Sequence, residues 1–144
     1  MIVPLMPPDA RIGLLLRLAH RRAARAFSDG LRPLGIEGRH FGVLLTLAGQ
    51  GAQSQRQLID RLGSDKSTMV RTVDDLERLD LVIRNPAQGD RRAHAVELTT
   101  QGHKVLNEAT QIAATVAATL LEPFAPAERK TLADLLERFI ERPT

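Results

Sequence analysis

The sequence predicts a mainly α-helical domain with one small β-hairpin, and three observations carry that reading. Apolar residues recur at helical spacing through most of the 144 residues. After Leu81 the period shortens from about 3.6 residues to about 2, and beyond Thr100 it lengthens again. Between the two alternating runs lies Asn85-Pro86-Ala87-Gln88-Gly89-Asp90-Arg91-Arg92, a stretch of turn formers and charge.

The first helix is expected from Ala10 to Leu31, with Ile12, Leu15, Leu16, Ala19, Ala23, Ala26 and Phe27 on one face and Asp9 as N-cap after Pro8. Its other face carries Arg17, His20, Arg21, Arg22 and Arg25, a solvated flank. Pro33 and Gly35 end it. A second helix follows from Gly38 to Gly49, with Phe41, Leu44, Leu45 and Ala48 inward, and stops at Gly49-Gln50-Gly51. Ser54 with Gln57 three residues on forms the capping-box pattern for a short helix, Gln55 to Leu62. Gly63 supplies a tight turn. The next helix is expected from Asp65 to Leu79, capped by Ser64, with Met69, Val70, Val73, Leu76 and Leu79 facing inward.

Leu81–Arg84 and His94–Leu98 read as the strands of the hairpin, with Arg91 and Arg92 at its tip. Thr99 or Thr100 then caps a long helix carrying Val105, Leu106, Ala109, Ile112, Ala113, Val116 and Leu120. Pro123 and Pro126 interrupt it. A last helix from Ala127 to Glu141 presents Leu132, Leu135, Leu136, Phe139 and Ile140.

Composition excludes several kinds of chemistry. The chain has no cysteine, so disulfides, thiolate metal sites and thiol nucleophiles are absent. His20, His40, His94 and His103 show no ligand spacing, so neither a metal nor a cofactor is expected. No nucleophile elbow, phosphate loop or metal-binding helix motif stands behind a small hydrolase. Met1–Pro8 lacks the basic start of a signal peptide, and no apolar run approaches the roughly 20 residues of a membrane span, so a cytoplasmic protein without membrane contact is expected. Trp and Tyr are absent, which disfavours stacking on single strands and leaves a duplex as the nucleic-acid partner.

Order is the informative feature: helix, helix, a glycine-turned helix pair, then a hairpin with arginines at its tip. This is the layout of a winged helix-turn-helix, in which the start of the pair's second helix meets base edges in the major groove. Here that start offers Ser64, Asp65, Lys66, Ser67, Thr68, Arg71 and Thr72. Ser54, Gln55 and Gln57 would approach the backbone from the preceding helix, and Arg84, Asp90, Arg91 and Arg92 from the wing. Bulk charge gives no support. The net charge is +3, and Ser54 to Gly102 balances eight cations (Arg56, Arg61, Lys66, Arg71, Arg78, Arg84, Arg91, Arg92) against eight anions (Asp60, Asp65, Asp74, Asp75, Glu77, Asp80, Asp90, Glu97). DNA binding would have to rest on separation of sign, with the acidic half of the helix turned away. The neutral head keeps a winged-helix module that binds protein as the alternative.

These residues closely resemble the MarR family of bacterial regulators over almost the whole chain. Arg32-Pro33-Leu34-Gly35-Ile36 with Phe41-Gly42-Val43-Leu44-Leu45 is similar to the family's first helix junction, and Asp65 to Glu77 to its recognition helix. The most specific match is Asp90-Arg91-Arg92 with Leu98-Thr99-Thr100-Gln101-Gly102 downstream. The resemblance implies that Arg92 enters the minor groove with Asp90 as its orienting partner. It also implies one domain over 1–144: dimerisation helices at 10–33 and 100–142, and a DNA-binding lobe at 38–99. A homodimer would read a pseudo-palindromic operator, acting as a repressor. A small aromatic or anionic effector would relieve it from a cleft for which Arg17, His20 and His40 are the candidate lining residues. Two departures stand out. Asp80 occupies a position where the family usually has glycine, and His40 one where glutamine is common.

Overall fold

The computed structural model of the chain describes residues 5–86 and 94–141. Its elements are α1 (Pro8–Leu31), a 3-10 turn (Arg32–Leu34), α2 (Gly38–Gln50), β1 (Gln53–Ser54), α3 (Gln55–Leu62), α4 (Lys66–Arg78), β2 (Val82–Pro86), β3 (His94–Leu98), α5 (Thr100–Leu120) and α6 (Pro126–Glu141). The architecture is the mainly α, winged one that the periodicities predict.

Local chemistry explains most boundaries. Ser54 Oγ accepts the Gln57 backbone N–H (3.1 Å) and Gln57 Oε1 accepts that of Ser54 (2.9 Å), so the capping box of α3 closes in both directions. Gly63 ends α3 in the left-handed region at φ 70°. Thr99, the first of the two candidate threonines, caps α5 by accepting the Gly102 N–H. Some expectations change. Asp65 caps α4 in place of Ser64, because its carboxylate reaches the Thr68 N–H. Pro7 precedes α1 with no side-chain cap, and Asp9 lies within the first turn, near the positive end of the helix dipole. Val70 is half-buried and Leu79 exposed, not core.

The sheet has a third strand that the sequence does not announce. It is antiparallel in the order β1-β3-β2, with Gln53 opposite Val96 and Arg84 on the other side of Val96. Two-residue β1 runs directly into α3, so the wing is hydrogen-bonded to the start of the helix pair. Behind both lies one core built from Leu31, Val43, Leu44, Leu58, Val73, Leu76, Val82, Val96 and Ala109, among others. On this core α4 is held by Met69, Val73 and Leu76, three apolar residues at helical spacing. By contrast α6 buries nothing, and α1 only Leu31.

The link from α4 to the wing is the tightest point. The Asp80 N–H donates to Glu77 O (3.0 Å) and the Leu81 N–H to Leu76 O (2.9 Å), a Schellman ending with Asp80 at φ 59°. Among the described residues Asp80 is the only non-glycine with positive φ. Thr99 Oγ1 donates to Asp80 O (2.6 Å), which anchors the turn to α5. Gly102 lies so close beneath that a Cβ there would sit 2.1 Å from Leu81 O. Asp80→Gly is therefore expected to stabilise the fold by about 0.5–1 kcal/mol, by relieving the left-handed cost of a side chain. Gly102→Ala should cost about 2 kcal/mol or more through the overlap with backbone. Urea denaturation of both variants checks the pair; equal stability would mean that neither contact constrains the turn.

Candidate nucleic-acid interface

The outer end of α4 is organised by its cap. Asp65 Oδ1 accepts the Thr68 N–H (2.8 Å) and Oδ2 the Thr68 hydroxyl (2.9 Å). The Thr68 N–H, with its hydroxyl second, holds the Asp65 carboxyl below the usual aspartate value. Lys66, Ser67 and Arg71 are exposed along the same stretch, and among the described residues neither cation forms an ion pair. Of the α3 residues, Gln57 is exposed while Ser54 and Gln55 are half-buried. Arg56 is exposed, whereas Arg61 donates to Gln53 Oε1 (3.1 Å) and so braces β1.

Two residues expected to face a duplex do not. Thr72 is buried at 1% exposure; its hydroxyl donates to Thr68 O (2.7 Å) and accepts from Arg39 Nη1 (2.8 Å), so it belongs to the inner side of α4. Helical geometry accounts for this: Thr72 falls between the core residues Met69 and Leu76, while Arg71, one residue earlier, is rotated outward. Arg84 is likewise engaged internally, its Nη2 on Asp74 (2.8 Å) and Nη1 on Glu77 (3.5 Å), which ties β2 to α4. Ser64 is half-buried, its hydroxyl donating to Asp65 O (3.0 Å). Asp90, Arg91 and Arg92 lie outside the described residues.

The acidic half of α4 is neutralised within the lobe. Besides the pairs to Arg84, Asp75 Oδ2 accepts from Arg39 Nη2 (2.9 Å) and His40 Nε2 (2.9 Å), and its Oδ1 from Arg78. The His40 bond, then that of Arg39, lowers the Asp75 carboxyl below its ordinary value against the opposing effect of burial. His40 also accepts the Glu37 N–H at Nδ1 (2.9 Å), completing the capping box of α2, so its proton resides on Nε2 and points at Asp75. One histidine thus caps α2 and fixes α4.

A cavity of about 710 Å³ opens between α1, α2 and the helix pair. Its wall is mostly apolar, with Ala23 and Phe27 from α1, Phe41 from α2, Leu62 from α3 and Met69 from α4. Of the three residues expected to line an effector cleft, His20 does so. Arg17 is absent from the wall, and His40 borders a smaller, more polar cavity of about 390 Å³ beside Arg32 and Ile36. Arg39, which borders both cavities, was not anticipated from the sequence, because its partners on α4 lie 33 and 36 residues away.

Comparison with known proteins places this arrangement. The MarR family model matches residues 34–93, the stretch that holds α2, the helix pair and the first strand of the wing. Over 79% of this chain and 70% of the relative, the sequence is 31% identical to the HTH-type transcriptional regulator PecS of Dickeya dadantii. The chain belongs to the MarR family of transcriptional regulators. Another MarR-like relative is the HTH-type transcriptional repressor NicR of Pseudomonas putida, 29% identical over 91% of this chain and 83% of NicR. Among solved structures, BpsR of Bordetella bronchiseptica aligns at a TM-score of 0.82 and 26% identity over 91% of this chain and 99% of that one. Its structure concerns regulation of BpsR DNA binding by 6-hydroxynicotinic acid.

The depressed Asp75 carboxyl has a stability consequence with a definite sign. A lowered folded-state value contributes stability that is complete above the unfolded aspartate value and is lost as pH falls through the folded one. In Asp75→Asn that contribution is gone at every pH. The stability gap between wild type and Asp75→Asn is therefore expected to be widest near neutrality and to close in acid, measured by urea denaturation across that range. A gap independent of pH would mean that the ionised carboxylate does not hold α4.

Proposed function

We propose that this MarR-family chain is a homodimer that binds double-stranded DNA sequence-specifically and represses transcription until a small aromatic or anionic molecule releases it. The observation that carries the DNA reading is the sorting of charge on α4. Asp74, Asp75 and Glu77 are paired with arginines of the lobe, whereas Lys66, Ser67 and Arg71 are exposed at the other end. A sequence-neutral head thereby acquires an outer edge of net positive sign, Lys66 and Arg71 against the capping carboxylate of Asp65, the property that attraction to phosphate requires. Arg71 is the best placed for base edges, and Lys66 for backbone. At the wing, the family resemblance assigns Arg92 to the minor groove with Asp90 as its orienting partner.

The dimer reading rests on exposed apolar side chains at the ends remote from the core. Ile12, Leu15 and Leu18 on α1, and Leu135, Phe139 and Ile140 on α6, leave more apolar surface than a monomer of this size readily carries. Pairing of residues 10–33 and 100–142 between copies would cover it and set the spacing of two lobes spanning 38–99. Release by an effector is supported by the cavity beside α4 and by BpsR, whose DNA binding is regulated by 6-hydroxynicotinic acid. The repressor reading follows NicR by name. Among the described residues no helix is long and apolar enough to cross a membrane. We place the protein in the cytoplasm with its DNA, in a regulatory and not an enzymatic role.

Sequencing the genomic fragments retained by the purified protein tests this reading. A palindrome with half-sites about 10 bp apart is the expected enrichment, with affinity falling steeply against salt. Arg71→Ala should change base preference at symmetric positions. Arg92→Ala should weaken operator and non-operator DNA alike and reduce the salt slope by about one contact. Absence of salt-dependent duplex binding would favour a protein-interaction module and overturn the proposal.

A further inference from the structure

We infer that Thr68, held by Asp65, accepts from one amino group in the major groove and so sets a preference for adenine or cytosine over guanine or thymine at one base of each half-site. This inference rests on the DNA-binding reading above and names what one side chain of it reads. A threonine hydroxyl has one proton to give and two lone pairs that receive, so it ordinarily serves donors and acceptors alike. Here that freedom is gone. Thr68 Oγ1 lies 2.9 Å from Asp65 Oδ2, while Oδ1 of the same carboxylate accepts the Thr68 N–H (2.8 Å). A carboxyl held below the usual aspartate value carries no proton near neutrality, so the hydroxyl is the donor in this pair. What Oγ1 has left is lone pairs, made more negative by the charge beyond the shared proton.

In the major groove the donors are the amino groups of adenine and cytosine, whereas guanine presents N7 and O6 and thymine O4. An oxygen with only lone pairs to offer bonds the first two bases and is repelled by the second two. Asp65, exposed beside Thr68, has lone pairs of its own that add to both effects. Thr68 is half-buried on the flank of α4, and its bond to Asp65 fixes the rotamer, so its lone pairs keep one direction. Ser67 differs: it is exposed, and no hydrogen bond among the described residues uses its hydroxyl, so it keeps both roles and confers no such bias. A carboxylate facing phosphates is tolerable here because Lys66 and Arg71, unpaired among the described residues, flank it. After the bonds from Thr68, the Arg71 charge also helps to keep the Asp65 carboxyl low.

The test enriches randomised duplexes on the wild-type protein and on Thr68→Val, Thr68→Ser and Asp65→Asn, each checked for folding by urea denaturation. Wild type is expected to favour adenine or cytosine by about five-fold or more at one base of each half-site. Thr68→Val, which keeps the shape but not the oxygen, should level that base and leave the others, and Thr68→Ser should retain the preference. Asp65→Asn should invert it. The amide oxygen still accepts the Thr68 N–H, its NH2 donates to Oγ1, and the hydroxyl proton is freed to meet guanine or thymine. A second arm needs no variant: replacing the preferred adenine or cytosine by an analogue without the amino group should weaken wild-type binding by the same factor. The same base preference in wild type and Thr68→Val, an adenine or cytosine preference unchanged in Asp65→Asn, or equal wild-type affinity with and without the amino group each overturns the inference. Such results leave salt-dependent duplex binding by the wild type in place, so they are distinguishable from failure of the proposed function, which shows as its absence.

Discussion

The position of α4 depends on one carboxylate. Asp75 sits a quarter exposed, where water screens its bonds incompletely, and accepts from Arg39 and His40 of α2. Apolar contact through Met69, Val73 and Leu76 fixes the depth of α4 but is tolerant of rotation and sliding. Directed bonds from two successive residues of α2 remove that freedom. Because His40 also closes the cap of α2, the helix that supplies the clamp is itself ordered by it.

The same pairing decides which face of the lobe is electropositive. An arginine that meets an acid inside the lobe no longer adds to the field outside, and an acid so met no longer subtracts from it. Arg84 is shared between Asp74 and Glu77, while Arg39 and Arg78 both pair with Asp75, so the three arginines offset the three acids as a group. What remains outward on α4 is set by this cancellation, not by the composition of the helix. A head with equal numbers of both signs is thus compatible with a cationic edge.

The parts of the fold that were legible in the sequence are those fixed within one turn of chain. The Ser54–Gln57 box, the turn at Gly63 and the Thr99 cap are decided by neighbours three or four residues apart, and reading them needs no tertiary information. Strand β1 escaped because two residues cannot display a period; it exists through Val96 and Ala95 across the sheet. Thr72 and Arg84 were misplaced for a related reason. A threonine beside an apolar stripe can point either way, and an arginine on a strand can meet solvent or acid. The choice is made by Arg39 for the first and by Asp74 for the second, each distant in sequence. Arg39 itself, half in the cavity wall and half in the clamp, carries no local signature at all.

Asp80 shows how a departure from a family pattern is absorbed. Glycine suits the left-handed end of α4, and aspartate there strains the backbone. The strain is held because both sides of the turn are fixed: Thr99 bonds Asp80 O from α5, the Thr99 N–H bonds Leu81 O (3.1 Å), and Gly102 lets α5 approach Leu81 closely. The start of the wing is therefore referred to α5, while the body of α4 is referred to α2. The two are also tied to each other through Arg84 of β2 on Asp74 and Glu77 of α4, so the turn is framed by α2, α5 and the wing together. A turn held from all these sides can keep an aspartate in the left-handed region that a free loop would relax.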